Sequence, residues 1–251
     1  VFHRTIITTG GSPNGRGLQY LAQLGHDIEP PVPSLFTFNI KDRAFCDLMG
    51  TVVEPVMTTI PGTKLRAKGP LLVTHWGVSG PAVLKLSSYA ARLLAENDYK
   101  APLAISWTGE LTRQEVEENL LKLQTANPRK QVATLHPFGL PSRLWLYILS
   151  KLDIDAVKPW AEIGRKTLNR MIETLVNDQY TIAGKGAFRD EFVTCGGVSL
   201  SSVNSKTLES KVCPNLFFAG EVLDIDAITG GFNLQAAWTT GVVAGQCAAG
   251  S

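Results

Sequence analysis

The chain has 251 residues, room for one large domain or one domain carrying an insertion. Its 44% hydrophobic and 18% charged residues are those of a folded globular protein, which excludes disorder. The formal net charge of +2 leaves no strong field for a phosphate backbone or an anionic membrane, so neither nucleic acid nor membrane is expected as a partner.

Four cysteines, Cys46, Cys195, Cys213 and Cys247, lie far apart without a CxxC pair. That pattern suggests neither a disulfide framework nor a zinc site, so no metal is expected and a reducing cytoplasm is the expected location. No signal segment opens the chain, and no apolar run approaches the ~20 residues of a membrane span.

In chain order, the β-branched run Thr5 to Thr9 ending in Gly10 and Gly11 predicts a buried strand entering a tight turn. Leu18, Leu21, Ala22 and Leu24 then give a helix an apolar stripe, with Gly25 placed to cap its C-terminus. Strand, glycine turn and helix begin an α/β unit. After Pro30, Pro31 and Pro33 the texture alternates, with Phe36, Phe38 and Ile40 on one side of a strand. Short β segments recur at 52–59, 64–68, 71–74 and 103–107, predicting a small antiparallel barrel or sandwich. Lys64, Arg66 and Lys68 read as its solvated face. One helix is expected from Pro81 to about Asn97.

Thr112 and Glu115 have capping-box spacing ahead of Val116, Leu120 and Leu123. A second helix follows Pro141, and a third, with Trp160, Ile163, Leu168, Met171 and Leu175 on its stripe, covers Pro159 to Asn177. These apolar positions read as the packing of a helical bundle. Beyond Tyr180 the α/β texture returns, with Val193 and Thr194 leading into Gly196 and Gly197, and Leu216 to Ala219 forming a strand that stops at Gly220. The expected architecture is a split α/β domain, residues 1–32 and 180–251, interrupted by an inserted β-barrel at 33–110 and a helical bundle at 111–179.

The sharpest stretch runs from Asn215 to Gly245. Glu221 stands at the tip of a buried strand, where open α/β sheets bind ligands, and its carboxylate can accept from sugar-like hydroxyls. Thr229, Gly230 and Gly231 precede a long helix whose free N–H groups would face an electron-rich ring or an anion. That helix carries Ala236, Ala237, Gly241, Ala244, Gly245 and Ala248, which suit close approach of either a flat ring system or the sheet.

This stretch resembles the C-terminal signature of two-domain flavoproteins, and more closely a bacterial group of BaiN-like, aminoacetone-oxidase-like NAD(P)/FAD-dependent oxidoreductases. The segments Ile6 to Leu35, Leu71 to Leu84 and Phe192 to Lys211 resemble that group in the same order. The resemblance implies a split FAD-binding, Rossmann-like domain, a dehydrogenase-type oxidoreductase passing hydride between NAD(P)H and a small organic substrate, and FAD as cofactor. By position it places Thr9, Gly10 and Gly11 beside the cofactor, and Gly220 with Glu221 at its ribityl and phosphate region. Gly230, Gly231, Phe232 and Asn233 fall under the flavin pyrimidine edge, and Thr194, Gly196, Gly197 and Val198 in another flavin-side loop. Ala227 stands where that group has a glycine.

His75, Trp76 and Ser79 lie in the implied substrate-side insertion; His75 is either a proton donor or substrate contact, or a structural histidine. As a nucleophile elbow the segment fails, because Pro81 occupies the required glycine. No catalytic base is evident. Neither GxGxxG nor a Walker motif occurs, so the chain is expected to be a fragment that alone binds FAD weakly or not at all. A non-catalytic docking module and an oxygen-using flavin oxidase are the alternatives.

Overall fold

The computed structural model describes residues 3–186 and 193–250; Val1 and Phe192, which open two of the segments singled out above, lie outside them. In chain order the elements are β1 (Thr5–Ile7), α1 (Gln19–Gln23), β2 (Ile28–Ser34), β3 (Phe38–Ile40), α2 (Arg43–Cys46), β4 (Val52–Thr59), β5 (Arg66–Thr74), β6 (Gly77–Ser79) and α3 (Pro81–Tyr89). They continue as α4 (Ala91–Glu96), β7 (Ala101–Ser106), α5 (Arg113–Ala126), α6 (Ser142–Lys151), α7 (Arg165–Asn177), β8 (Asp178–Lys185), β9 (Val193–Val198), β10 (Leu216–Phe218) and α8 (Phe232–Ala249). The chain forms two compact units, one from residues 1–36, 90–96 and 188–251, the other from 37–89 and 97–187.

In the first unit β1 and β10 pair in parallel, with Ile6 opposite Phe217, and β2 pairs antiparallel with β9. Leu21, Val198, Phe218, Val222, Leu223 and Ala244 form its buried core. The proline cluster, expected to end this unit at residue 32, instead lies inside β2. Pro30 and Pro31 cannot donate to a ladder, and the pairing with β9 slips its register between Glu29 and Val32, where those two prolines sit. The single helix expected from Pro81 divides at Ala90, and its second part, α4, joins the first unit. There Ala91 and Leu94 are buried, and Arg92 reaches the Pro30 carbonyl and the Asp224 carboxylate.

The second unit is a closed six-stranded barrel in the order β3-β6-β5-β4-β7-β8, every neighbour antiparallel. Closure leaves no free sheet edge. The segments 64–68 and 71–74, expected as two strands, form one, because β5 runs on through Gly69 and Pro70. The expected boundary at residue 180 falls inside β8, the strand that closes the barrel on β3 and β7. Closure is a long-range pairing, so the local texture around Tyr180 carries no sign of it.

Thr112 and Glu115 make the expected capping box at the start of α5. Trp160 and Ile163 belong to a short 3-10 turn and its exit, and α7 begins after Gly164, later than the apolar stripe suggests. Ion pairs Arg113–Glu173 and Arg165–Glu117 tie α5 to α7. Asp178, 3% exposed, accepts hydrogen bonds from Trp107 Nε1 (3.0 Å), Tyr180 OH (2.7 Å) and Lys151 Nζ (2.6 Å), fastening α6 to the barrel. Burial, followed by the Asp178 charge, holds the Tyr180 phenol far above its ordinary pKa, so Tyr180 stays a donor.

Candidate functional site

Parallel pairing of β1 and β10 brings two strand ends, about 210 residues apart in sequence, to the same edge. Ala219 N–H continues the ladder to the Ile7 carbonyl at 3.0 Å, after which both chains turn, β1 into Thr8 to Gly11 and β10 into Gly220 and Glu221. The carboxyl ends of parallel strands are where open α/β sheets form ligand crevices.

Glu221 holds this edge together. Its Oε1 accepts the Thr194 N–H at 2.7 Å, and its Oε2 makes a long contact of 3.4 Å with the Gly11 N–H. A Cβ on Gly11 would stand 2.6 Å from Thr194 Oγ1 and 3.0 Å from Glu221 Cδ. Gly11, Thr194 and Glu221 therefore converge, and the Glu221 carboxylate, expected to accept from sugar-like hydroxyls, is bonded to backbone.

Gly196 and Gly197 have a different reason to be glycine. Cβ atoms there would lie 2.6 Å from the Pro30 carbonyl oxygen and 2.5 Å from the Val222 carbonyl oxygen, because β2 and the turn after β10 cross β9 at backbone distance. Val198, fully buried, bridges to Leu223 and accepts from Asp224 N–H at 2.9 Å. These three positions are accounted for by packing within the first unit.

Helix α8 follows Thr229 and Gly230, and Gly231, in the left-handed region, is its N-cap with no side-chain cap bond. The amide of Asn233 closes the loop by pairing with both backbone groups of Ala227, each at 2.8 Å, which is how the turn holds its shape with alanine there. Thr240 Oγ1 accepts the Gly220 N–H at 2.9 Å, a contact between helix and strand end that no sequence motif announced. Built Cβ atoms on Gly10 and Gly231 would meet nothing within 4 Å. Along α8, Phe232, Leu234, Trp238 and Val242 are exposed, Trp238 by 67%.

Cys195, Asp226 and Ser34 form a second polar group of this unit, missed in the sequence because its members are scattered. Ser34 Oγ donates to Asp226 Oδ2 at 3.0 Å. Burial pushes the Cys195 thiol up to about 11, and the charge of Asp226 adds to it. The neighbouring Asp224 carboxyl is raised by burial, an effect the Arg92 guanidinium partly offsets. Buried His26 bonds Leu21 O at 3.0 Å and Ser210 Oγ at 2.7 Å, which makes it a satisfied core histidine.

The substrate-side candidates belong to the barrel unit. His75 and Trp76 form the two-residue turn between β5 and β6, since Thr74 pairs with Gly77. His75 is exposed, its ring edge-on to Trp76 at 4.4 Å, and Trp76 Nε1 donates to Thr37 Oγ1 at 3.2 Å. Ser79 lies in β6 opposite Leu72. Among the described residues no group of three His, Cys, Asp or Glu side chains could hold a metal ion, and no helix is long and apolar enough to cross a membrane.

Residues 32–193 match the family described as the HI0933-like protein barrel and H2TH domain. The chain is 30% identical over 244 residues to the ribosomal RNA dihydrouridine synthase of Haemophilus influenzae, a match covering 94% of this chain and 57% of that protein. It is 28% identical over 257 residues to the 3-dehydro-bile acid delta(4,6)-reductase of Clostridium scindens, covering 98% and 62%. The ribosomal RNA dihydrouridine synthase of Escherichia coli is 29% identical over 248 residues, covering 94% and 58%. The chain thus spans about three fifths of the length of the curated relatives it matches. With a family match across the barrel and helical segment, the chain belongs to the HI0933-like family.

Proposed function

We propose that the chain forms the flavin-facing part of an FAD-dependent oxidoreductase that takes hydride from NAD(P)H and saturates a carbon–carbon double bond in an organic substrate. The observation that carries this reading is the convergence of Gly11, Thr194 and Glu221 at the carboxyl ends of a parallel strand pair. The α8 N-terminus, without a side-chain cap, and the open Gly10 and Gly231 positions fit a flat, electron-rich ring. Two of the relatives support the reaction class, since a dihydrouridine synthase and a delta(4,6)-reductase both make more saturated products.

FAD, when bound, supplies the hydride chemistry. The residues of this chain orient it: Glu221 fixes the Gly11 and Thr194 turns, Asn233 fixes the loop before α8, and the first N–H groups of α8 favour negative charge. His75 and Trp76 are the proposed substrate-side contacts. Residues beyond the present sequence hold the adenosine half, in keeping with the missing GxGxxG and the greater length of the relatives.

The test is flavin absorbance of the purified protein at the full length of its relatives, followed by reduction assays with NADH, NADPH and oxygen. A conjugated enone and a uridine-containing RNA serve as alternative acceptors. Stoichiometric flavin, reduced by a nicotinamide and reoxidised by the enone, supports the reading. Colourless full-length protein refutes it, oxygen as the sole acceptor makes it an oxidase, and turnover of RNA alone replaces the small-molecule substrate.

A further inference from the structure

The barrel unit contains a cavity of about 670 Å³ that none of the flavin-side residues lines. Its volume is that of a small-molecule site, for which ~300–1,000 Å³ is typical. Val53, Trp107, Thr108 and Leu140, all buried, line its inner part. Two departures from regular backbone shape it. The β4–β5 register slips between Val53 and Val56, so Glu54 and Pro55 bulge from the ladder, and Gly109, in the left-handed region, packs against Pro55. Bulges of this kind re-aim side chains beside sites.

The charge around the cavity runs against that of its unit. Residues 37–89 and 97–187 hold 18 Lys and Arg against 13 Asp and Glu, yet the cavity is lined by Glu54, Glu110 and Glu115 and a single cation, Lys68. Lys68 is paired with Glu110. Glu115 is engaged with Thr112 in the capping box and remains an anion. Glu54 has no ion pair among the described residues, so one negative charge at the cavity lacks a partner of its own.

We propose that this cavity is a binding site for a small organic cation, an ammonium carried on an apolar ring body, with Glu54 as the principal charge partner and Glu110 as the second. The ring body lies against Leu140, Trp107 and the half-buried Phe138, and the ammonium meets the carboxylates. A neutral ring gains only the apolar contact, and an anion of the same shape meets three carboxylates against one ammonium, Lys68, that is already paired with Glu110. The site is built wholly from the barrel and helical segment, so it is independent of the flavin reading.

Isothermal titration of the full chain with tryptamine, and with indole-3-propionate as the ring-matched anion, tests this. Tryptamine is expected to bind with a dissociation constant of about 2 mM, and indole-3-propionate at least about tenfold more weakly. Glu54→Gln weakens tryptamine about three- to fivefold, and Glu54→Gln with Glu110→Gln about tenfold. Glu118→Gln, a charge change on α5 outside the cavity, leaves affinity unchanged. Thermal unfolding of each variant at the wild-type temperature shows that these exposed substitutions spare the fold. Equal binding of the two indoles, unaltered tryptamine affinity in the double variant, or no binding of tryptamine at roughly ten times the expected constant overturns the proposal.

Discussion

Glu221 Oε1 accepts the backbone N–H of Thr194 at 2.7 Å, so a carboxylate on the turn after β10 fixes a strand 27 residues earlier in the chain. The bond joins a charged acceptor to a partly buried donor, the stronger class of hydrogen bond. Glu221→Ala leaves the Thr194 and Gly11 N–H groups without this acceptor and is expected to destabilise the first unit by about 1–3 kcal/mol. Glu221→Gln keeps the shape and loses the charge, so its cost falls below that of alanine. Urea denaturation followed by far-UV dichroism orders the two. In the full-length protein the alanine variant is also expected to lose flavin, read by absorbance.

Cys195 makes stability depend on alkaline pH. Its folded thiol is pushed up to about 11, against an ordinary value of 9.0, by burial and then by Asp226. The unfolded chain therefore sheds this proton first, and the stabilisation, complete below about pH 9, is lost as pH rises towards 11. Urea midpoints from pH 7 to pH 11 should fall more steeply for wild type than for Cys195→Ala. Parallel curves would remove Cys195 from the account. The native thiol should also resist iodoacetamide at neutral pH.

Asp178 is a buried anion with three donors. Asp178→Asn leaves the partly exposed Lys151 beside a neutral group and disturbs the bonds from Trp107 and Tyr180, at a cost of about 2–3 kcal/mol. Tyr180→Phe removes one donor and costs about 1–2 kcal/mol. Thermal unfolding monitored by tryptophan fluorescence separates them, and an Asp178→Asn variant within about 0.5 kcal/mol of wild type would contradict the assignment.

Gly197 and Gly231 both have positive φ, yet they differ in what surrounds them. At Gly197 an added Cβ would stand 2.5 Å from the Val222 carbonyl oxygen, whereas at Gly231 it meets open space. Gly231→Ala should cost about 1 kcal/mol of backbone strain, and Gly197→Ala that strain plus a clash between backbones, enough to disrupt the first unit. Soluble yield and unfolding midpoint measure both, and equal effects would show that the crossing of β9 is looser than described.

Much of the local structure was legible because its signals are local. The Thr112–Glu115 capping box, the Phe36, Phe38 and Ile40 alternation and the Gly231 start of α8 each depend on residues within a few positions, and all appear. The break at Ala90 was not legible, since no glycine or proline marks it and the reason is α4 packing elsewhere. Nor was the Thr240 contact with Gly220, which needs α8 laid against β10.

Sequence alone determined the β and α textures, a small antiparallel β unit left open between barrel and sandwich, and the glycine turns at the strand ends. Only the tertiary structure decided what those glycines are for. Gly196 and Gly197 serve a backbone crossing, Gly11 makes room for Thr194 and Glu221, and Gly10 and Gly231 stand open. It also decided that β8 closes the barrel and that Glu221 bonds to backbone. The physical reason is range: propensity and periodicity act over a few residues, whereas strand pairing and steric exclusion act between segments that the chain separates by about 210 positions.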